Sequence, residues 1–183
     1  LTLYSLYFMP NKTIFLDRDG IINEEINYLH KIDEFEFIEG IFDSCLFLIN
    51  LGYKIIIITN QSGIARGYYS ERDYQKLTQW MLNKFNEKNI KILDVFHCPH
   101  GPDSSCFCRK PKPGMFLEAK SKYNINMKKS WMIGDNETDI LAANSAGISN
   151  TVLLISNPSK VLSESKPDFI INSIIELKNI IKK

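Results

Sequence analysis

The segment Phe15-Leu16-Asp17-Arg18-Asp19-Gly20 sets two carboxylates two residues apart, at the end of an apolar run and just before a glycine. In an extended segment, residues i and i+2 share a face. Asp17 and Asp19 are therefore expected to aim at one spot, where a strand opens into a loop. Like charges brought together repel, and one carboxyl is driven toward its neutral form unless a cation lies between them. The pattern suits a divalent-metal site or an acid–base pair. A solvated Asp-x-Asp-Gly turn has the same composition, so the rest of the chain must decide.

Four further segments carry groups that could act with this pair. Thr59-Asn60-Gln61-Ser62-Gly63 follows four consecutive isoleucines and offers a hydroxyl and backbone N–H groups, which suit a phosphate oxygen. Arg109-Lys110-Pro111-Lys112-Pro113 combines a point charge with a forked guanidinium, both apt for phosphate. Its prolines stiffen the backbone that presents them. Gly134-Asp135-Asn136-Glu137-Thr138-Asp139 places Asp135 at the end of an apolar run, where a lone buried charge is costly unless bound. Helix N-capping by Asp135 or Asn136 is the competing reading. A third carboxylate beside Asp17 and Asp19 gives an oxygen-rich cage of the kind Mg²⁺ takes. Finally, Cys98, His100, Cys106 and Cys108 crowd into one loop. Three thiolates and an imidazole fit tetrahedral Zn²⁺ with no open position, which favours a structural metal over a catalytic one. His97 reads as the end of a strand, His30 as a loop residue and Cys45 as part of a helix core.

The elements that position these groups follow from apolar patterning. Strands are expected at 13–16, 54–59, 93–97, 131–134, 151–155 and 169–171. Helices are expected at 41–51, 71–87, 113–123, 137–146 and 173–181. The run Ile55-Ile56-Ile57-Ile58 suits a strand covered on both faces. Strand–helix alternation predicts an α/β fold, a Rossmann-like parallel sheet with helices on both faces. Ligands bind such sheets beyond the carboxyl ends of the strands, where Asp17, Thr59, the cysteine loop and Asp135 all fall.

The chain of 183 residues, with 44% hydrophobic and 23% charged residues, suits one domain over 13–183. Residues 1–12 read as an N-terminal extension or a leftover of cloning, with Met9 a plausible initiator and a short extra strand the alternative. The stretch 156–166 reads as an exposed loop. A net charge of +1 gives no basic footprint for nucleic acid. No apolar run reaches the roughly 20 residues that cross a bilayer. Cysteines grouped as a metal site, without a secretion signal, point to the cytoplasm, and nothing demands more than a monomer.

Taken in order, Asp-x-Asp-Gly, Thr, Lys and Gly-Asp with a further Asp, the chain resembles the haloacid dehalogenase-like phosphatase superfamily from Thr13 onward. That resemblance implies Asp17 as nucleophile and Asp19 as general acid and base. It implies Thr59 and Lys110 holding the transferring phosphoryl group, and Asp135 completing a Mg²⁺ site with Asp17 and the backbone of Asp19. Within the superfamily, the zinc loop together with 15–23, 59–67 and 108–115 looks like the group of heptose bisphosphate and histidinol phosphatases. This implies substrate recognition by Arg109, a pocket lined by Glu25, Ile26, Asn27, Tyr28, Thr59, Asn60, Gln61 and Ser62, and Asn136 beside the metal. The run Cys-Arg-Lys-Pro-Lys-Pro-Gly-Met most resembles that of the heptose bisphosphate phosphatases, which implies hydrolysis of the C7 phosphate of D-glycero-D-manno-heptose 1,7-bisphosphate, in nucleotide-activated heptose synthesis for bacterial surface glycans. Histidinol phosphate is the alternative substrate, since the short spacer between His100 and Cys106 fits either group. A non-catalytic, zinc-stapled binding module is the rival from another class. The segments between Asp19, Thr59 and Lys110 leave room for only a minimal cap, so the zinc loop is expected to wall a rather open site.

Overall fold

The computed structural model describes residues 10–155 and 164–182. Six strands form one sheet in the order β3-β2-β1-β4-β5-β6. They are β1 (Thr13–Leu16), β2 (Lys54–Asn60), β3 (Ile92–Cys98), β4 (Trp131–Gly134), β5 (Asn150–Leu154) and β6 (Phe169–Ile171). Every neighbouring pair is parallel. The helices are α1 (Ile41–Asn50), α2 (Glu71–Glu87), α3 (Gly114–Tyr123), α4 (Glu137–Ser145) and α5 (Leu177–Ile180). This is the α/β architecture expected from the alternation of apolar runs.

The strands are apolar because both faces are covered. Ile14 and Leu16 of β1 join Ile55 and Ile57 of β2 in one core, completed by Leu48, Leu77, Met81, Phe85 and Leu177 from α1, α2 and α5. Phe15 points the other way. It joins Ile56, Ile58 and Met132 against Met115 and Phe116 of α3 and Ala142 and Ala143 of α4. The period-2 alternation of side chains thus divides one strand between two cores.

Local signals fix the helix starts. Ser70 and Asp73 form a capping box at α2, and Asn136 and Asp139 form one at α4, so orphan N–H groups are satisfied at both helix starts. Pro113 caps α3 instead of lying inside it. The helix expected at 173–181 is split: Ile174–Glu176 is a 3₁₀ turn and only Leu177–Ile180 is α-helical. Ser173 and Glu176 cap each other there, and β-branched Ile174 and Ile175 weaken a regular first turn.

Two parts of the sequence-based outline fall largely outside the described residues. Of the segment 1–12, residues 10–12 are described, and Asn11 bridges in parallel to Ile125. Of the loop 156–166, residues 164–166 are described; Ser165 is buried and bonded to Glu137 Oε1. Among the described residues, no helix is long and apolar enough to cross a membrane. The segment between β1 and α1 holds a short flap and one 3₁₀ turn, Ile32–Glu34, so the cap is minimal.

Candidate active site

Strand order runs outward from β1 in one direction to β3 and from β4 in the other to β6. The crevice at such a switch point is where open α/β sheets bind ligands. A cavity of about 280 Å³ lies there, lined by Asp17, Asp19, Glu25, Thr59, Asn60, Arg109, Lys110, Asp135, Asn136, Thr138 and Asp139. The expected residues Ile26, Asn27, Tyr28, Gln61 and Ser62 are not part of this lining. Tyr28 instead stands 40% exposed with its ring edge-on to Tyr68 at 4.5 Å.

Lys110 is the centre of the charge arrangement. Its ammonium is buried, 2.9 Å from Asp17 Oδ1 and 2.6 Å from Asp139 Oδ1, and it donates to the Ile58 carbonyl at 2.8 Å. Its backbone is clamped from both sides by Asn60, which accepts from Lys110 N and donates to Lys110 O. Burial acts to lower the Lys110 pKa, but the charges of Asp139 and Asp17 outweigh it and hold it above the ordinary value. Burial pushes the Asp17 carboxyl well up from its usual range; Asp139 and Asp135 add repulsion and Lys110 opposes them.

Carboxylate oxygens of Asp17, Asp135 and Asp139 lie within 4.8 Å of one another. Such a set of hard oxygen donors fits a divalent cation like Mg²⁺. Two glycines make the packing possible. A side chain on Gly20, whose φ is +80°, would strike the Asp135 carboxylate, and one on Gly134 would strike Asp139. Gly134→Ala is therefore expected to push Asp139 off Lys110. Overpacking of this kind costs about 1–3 kcal/mol, and a misplaced catalytic group costs roughly 10- to 100-fold in turnover. A thermal melt and kcat check both; an unaltered pair of values would show that Asp139 need not sit where it does.

Asp17 and Asp19 both line the cavity, but their carboxylates take different partners. β1 ends at Leu16, so the i, i+2 rule of an extended strand does not reach Asp19. Its carboxylate turns to other partners: Arg18 Nη2 at 2.8 Å, Asn23 Nδ2 at 3.0 Å and Gln61 Nε2 at 3.1 Å. Among the acidic neighbours that raise Asp17, Asp19 ranks last. Arg18 is itself buried and also donates to the Leu29 carbonyl, so it joins the flap to the Asp19 carboxylate. Sequence reasoning passed over Arg18 and gave Asp139 no role; an aspartate in the Asn-x-x-Asp pattern reads as an ordinary helix cap, and Asp139 Oδ2 does accept from Asn136 N. Its other oxygen faces Lys110.

Beside this cavity, Cys98, His100, Cys106 and Cys108 bring three sulfurs and His100 Nδ1 within 4.8 Å of one another. Cys98 and Cys108 sulfurs are 3.0 Å apart, and His100 Nδ1 is 3.3 Å from Cys108. His97 faces Glu71 instead. From protein groups alone, burial pushes the Cys98 thiol up to about 12. Desolvation also raises Cys106, yet the Arg109 N–H, Ser104 and the neighbouring thiols bring it down to about 6. Soft sulfur donors in a closed set of four fit Zn²⁺. The loop is tied to the cavity wall: Arg109 donates to the His100 carbonyl, Lys112 to the Cys106 carbonyl, and Gln61 N to the Cys98 carbonyl.

Comparison with known proteins adds an independent line. A family model described as HAD-hydrolase-like matches residues 107–177. The chain is 48% identical to a D-glycero-alpha-D-manno-heptose-1,7-bisphosphate 7-phosphatase of Photorhabdus laumondii, over 90% of this chain and 97% of that protein. It is 42% identical to a D-glycero-beta-D-manno-heptose-1,7-bisphosphate 7-phosphatase of Haemophilus ducreyi, over 92% and 97%. The crystal structure of the D,D-heptose 1,7-bisphosphate phosphatase from B. bronchiseptica, complexed with magnesium and phosphate, superposes with a TM-score of 0.81 at 27% identity, covering 92% of this chain and 97% of that one.

Proposed function

The chain belongs to the D-glycero-D-manno-heptose-1,7-bisphosphate 7-phosphatase family of HAD-like hydrolases, and from that premise we propose that it removes the C7 phosphate of D-glycero-D-manno-heptose 1,7-bisphosphate through an aspartyl-phosphate on Asp17. The observation that carries this reading is the buried Lys110 ammonium 2.9 Å from Asp17, with Asp19 and Thr59 in the same cavity wall. A carboxylate, a fixed cation, a hydroxyl and a second carboxyl at one strand end form a complete set for phosphoryl transfer.

In the first step an Asp17 oxygen forms a bond to phosphorus and the bond to the sugar oxygen breaks. Asp19 supplies a proton to the departing alkoxide, then takes one from the water that splits the aspartyl-phosphate. Lys110 and the Thr59 hydroxyl neutralise charge on the phosphoryl oxygens, where preorganised donors give most of the stabilisation. Asp17, Asp135 and Asp139, with the Asp19 backbone, would hold Mg²⁺, which supplies further charge neutralisation on phosphate oxygens. Because burial raises the Asp17 carboxyl, compensating cations are needed to keep the nucleophile ionised. Arg109, on the cavity rim and anchored to the cysteine loop, is suited to the second phosphate by its forked geometry. The Cys/His cluster, loaded with Zn²⁺, would hold that loop and so aim Arg109 and Lys110.

The test is phosphate release with Mg²⁺ from the α and β anomers of heptose 1,7-bisphosphate and from histidinol phosphate. Relatives are named for both anomers, so both are assayed. Preference for a heptose bisphosphate is expected. Preference for histidinol phosphate would keep the mechanism and overturn the substrate; phosphate binding without release would favour a binding module.

A further inference from the structure

Gln61 sits directly after β2 and is only 3% exposed. Its amide is fully engaged inside the protein. Nε2 donates to Asp19 Oδ2 at 3.1 Å and to Thr59 Oγ1 at 2.9 Å, which uses both of its hydrogens. Oε1 accepts from the Tyr69 hydroxyl at 2.6 Å. The amide nitrogen faces Asp19 and the amide oxygen faces Tyr69. The Tyr69 hydroxyl donates to that oxygen from the opposite side. Thr59 Oγ1 accepts from Gln61, so its own hydrogen is left to donate elsewhere, and Thr59 lines the cavity.

We propose that Gln61 is a positioning residue, its amide aimed by the Tyr69 hydroxyl so that one NH₂ group fixes both the Asp19 carboxyl and the Thr59 hydroxyl. This rests on the phosphatase reading above and deepens it. Gln61 acts through the two catalytic groups and spends no N–H on substrate. Burial pushes the Tyr69 phenol up to about 12, so it stays a donor throughout the ordinary pH range. A side chain at position 63 would collide with the Tyr69 ring; Gly63 lets that ring close over the turn. Arg18 grips the other side of Asp19 through Nε and Nη2, so the carboxyl is held between a guanidinium and an amide.

The experiment measures kcat and KM of Gln61→Met, Tyr69→Phe and the double variant, with Mg²⁺, on heptose 1,7-bisphosphate and on p-nitrophenyl phosphate. A sugar alkoxide must be protonated as it leaves, whereas p-nitrophenolate leaves unaided. General acid–base catalysis contributes 10²- to 10⁴-fold, and loss of its alignment should forfeit a part of that. Gln61→Met is expected to lower kcat/KM roughly 10- to 100-fold on the sugar phosphate, mostly through kcat, and clearly less on p-nitrophenyl phosphate. Tyr69→Phe, which removes one hydrogen bond, should cost roughly three- to tenfold in the same pattern. The double variant should be no worse than Gln61→Met alone, since Tyr69 acts through Gln61. The ratio between substrates is independent of how much enzyme is folded, so it separates positioning from damage to the fold. A raised KM with kcat kept would make Gln61 a substrate contact and overturn the proposal. Equal losses in kcat/KM on both substrates, or additive effects, would do the same. A wild-type enzyme that releases phosphate from neither substrate would overturn the phosphatase reading itself, and this inference with it.

Discussion

Replacement of Asp17 by asparagine should abolish phosphate release, by roughly 10⁴-fold or more, as removal of a covalent nucleophile does elsewhere. The fold should survive. Asparagine is nearly isosteric, and its amide oxygen can still accept the Arg18 N–H that now reaches Asp17 Oδ1 at 2.7 Å. The substitution also removes one of three crowded anions, and Lys110 keeps Asp139 as a partner. The thermal midpoint is therefore expected to stay equal or rise slightly. Turnover and a melt, measured on the same preparation, check both halves. Near-normal turnover in this variant would remove Asp17 from the nucleophile's role.

Lys110→Met should produce the largest loss of stability of any single change in the site. Methionine fills the volume but leaves Asp17 and Asp139 facing each other without the ammonium that now lies between them. Breaking one side of a buried ion pair costs about 3–5 kcal/mol. For a domain of this size that is a fall in Tm of roughly 6–20 °C. Turnover should drop by 10²-fold or more, the loss typical when a donor to developing charge is removed. The pH dependence has a definite sign. The Asp17 carboxyl is already raised by burial, and Lys110 was lowering it; without Lys110 it rises further. A group with a raised folded-state pKa favours the fold at low pH and loses that advantage as pH increases. The stability gap between variant and wild type should thus narrow on acidification. Adding Asp139→Asn should recover part of the stability and none of the activity. If Lys110→Met melts like wild type, the buried pair contributes nothing to the fold.

Much of this arrangement is legible in the residues. Central parallel strands must be apolar on both faces, so Ile55-Ile56-Ile57-Ile58 announces β2, and the polar residue that ends each run marks the site edge: Asp17, Thr59, Asp135. The bounds of β1, β4, β6 and α2 follow from that pattern and from the Ser70 cap. What the pattern hides is pairing across distance. Gln61 and Asp19 are 42 positions apart, and nothing local tells a buried glutamine from an exposed one in a polar turn. Arg18 lies in a turn, where arginine is ordinarily solvated, yet it is 2% exposed. Asp139 has two roles, and only the capping one has a local signature.

The strand order also bears on how the protein is made. β1 emerges from the ribosome first, but its neighbour β4 begins at Trp131, well over a hundred residues later. At roughly 5–20 residues per second, the edge of β1 that will carry the site waits several seconds for its partner. During that interval Lys110 leaves the exit tunnel before Asp135 and Asp139 do. The cation is therefore in hand when the second and third buried anions arrive, and at no stage of synthesis must the nascent sheet gather its three carboxylates without a positive charge already encoded upstream. Reordering the chain by circular permutation, so that β4 and α4 were translated before residue 110, would reverse that sequence of events and test whether the order matters to folding yield.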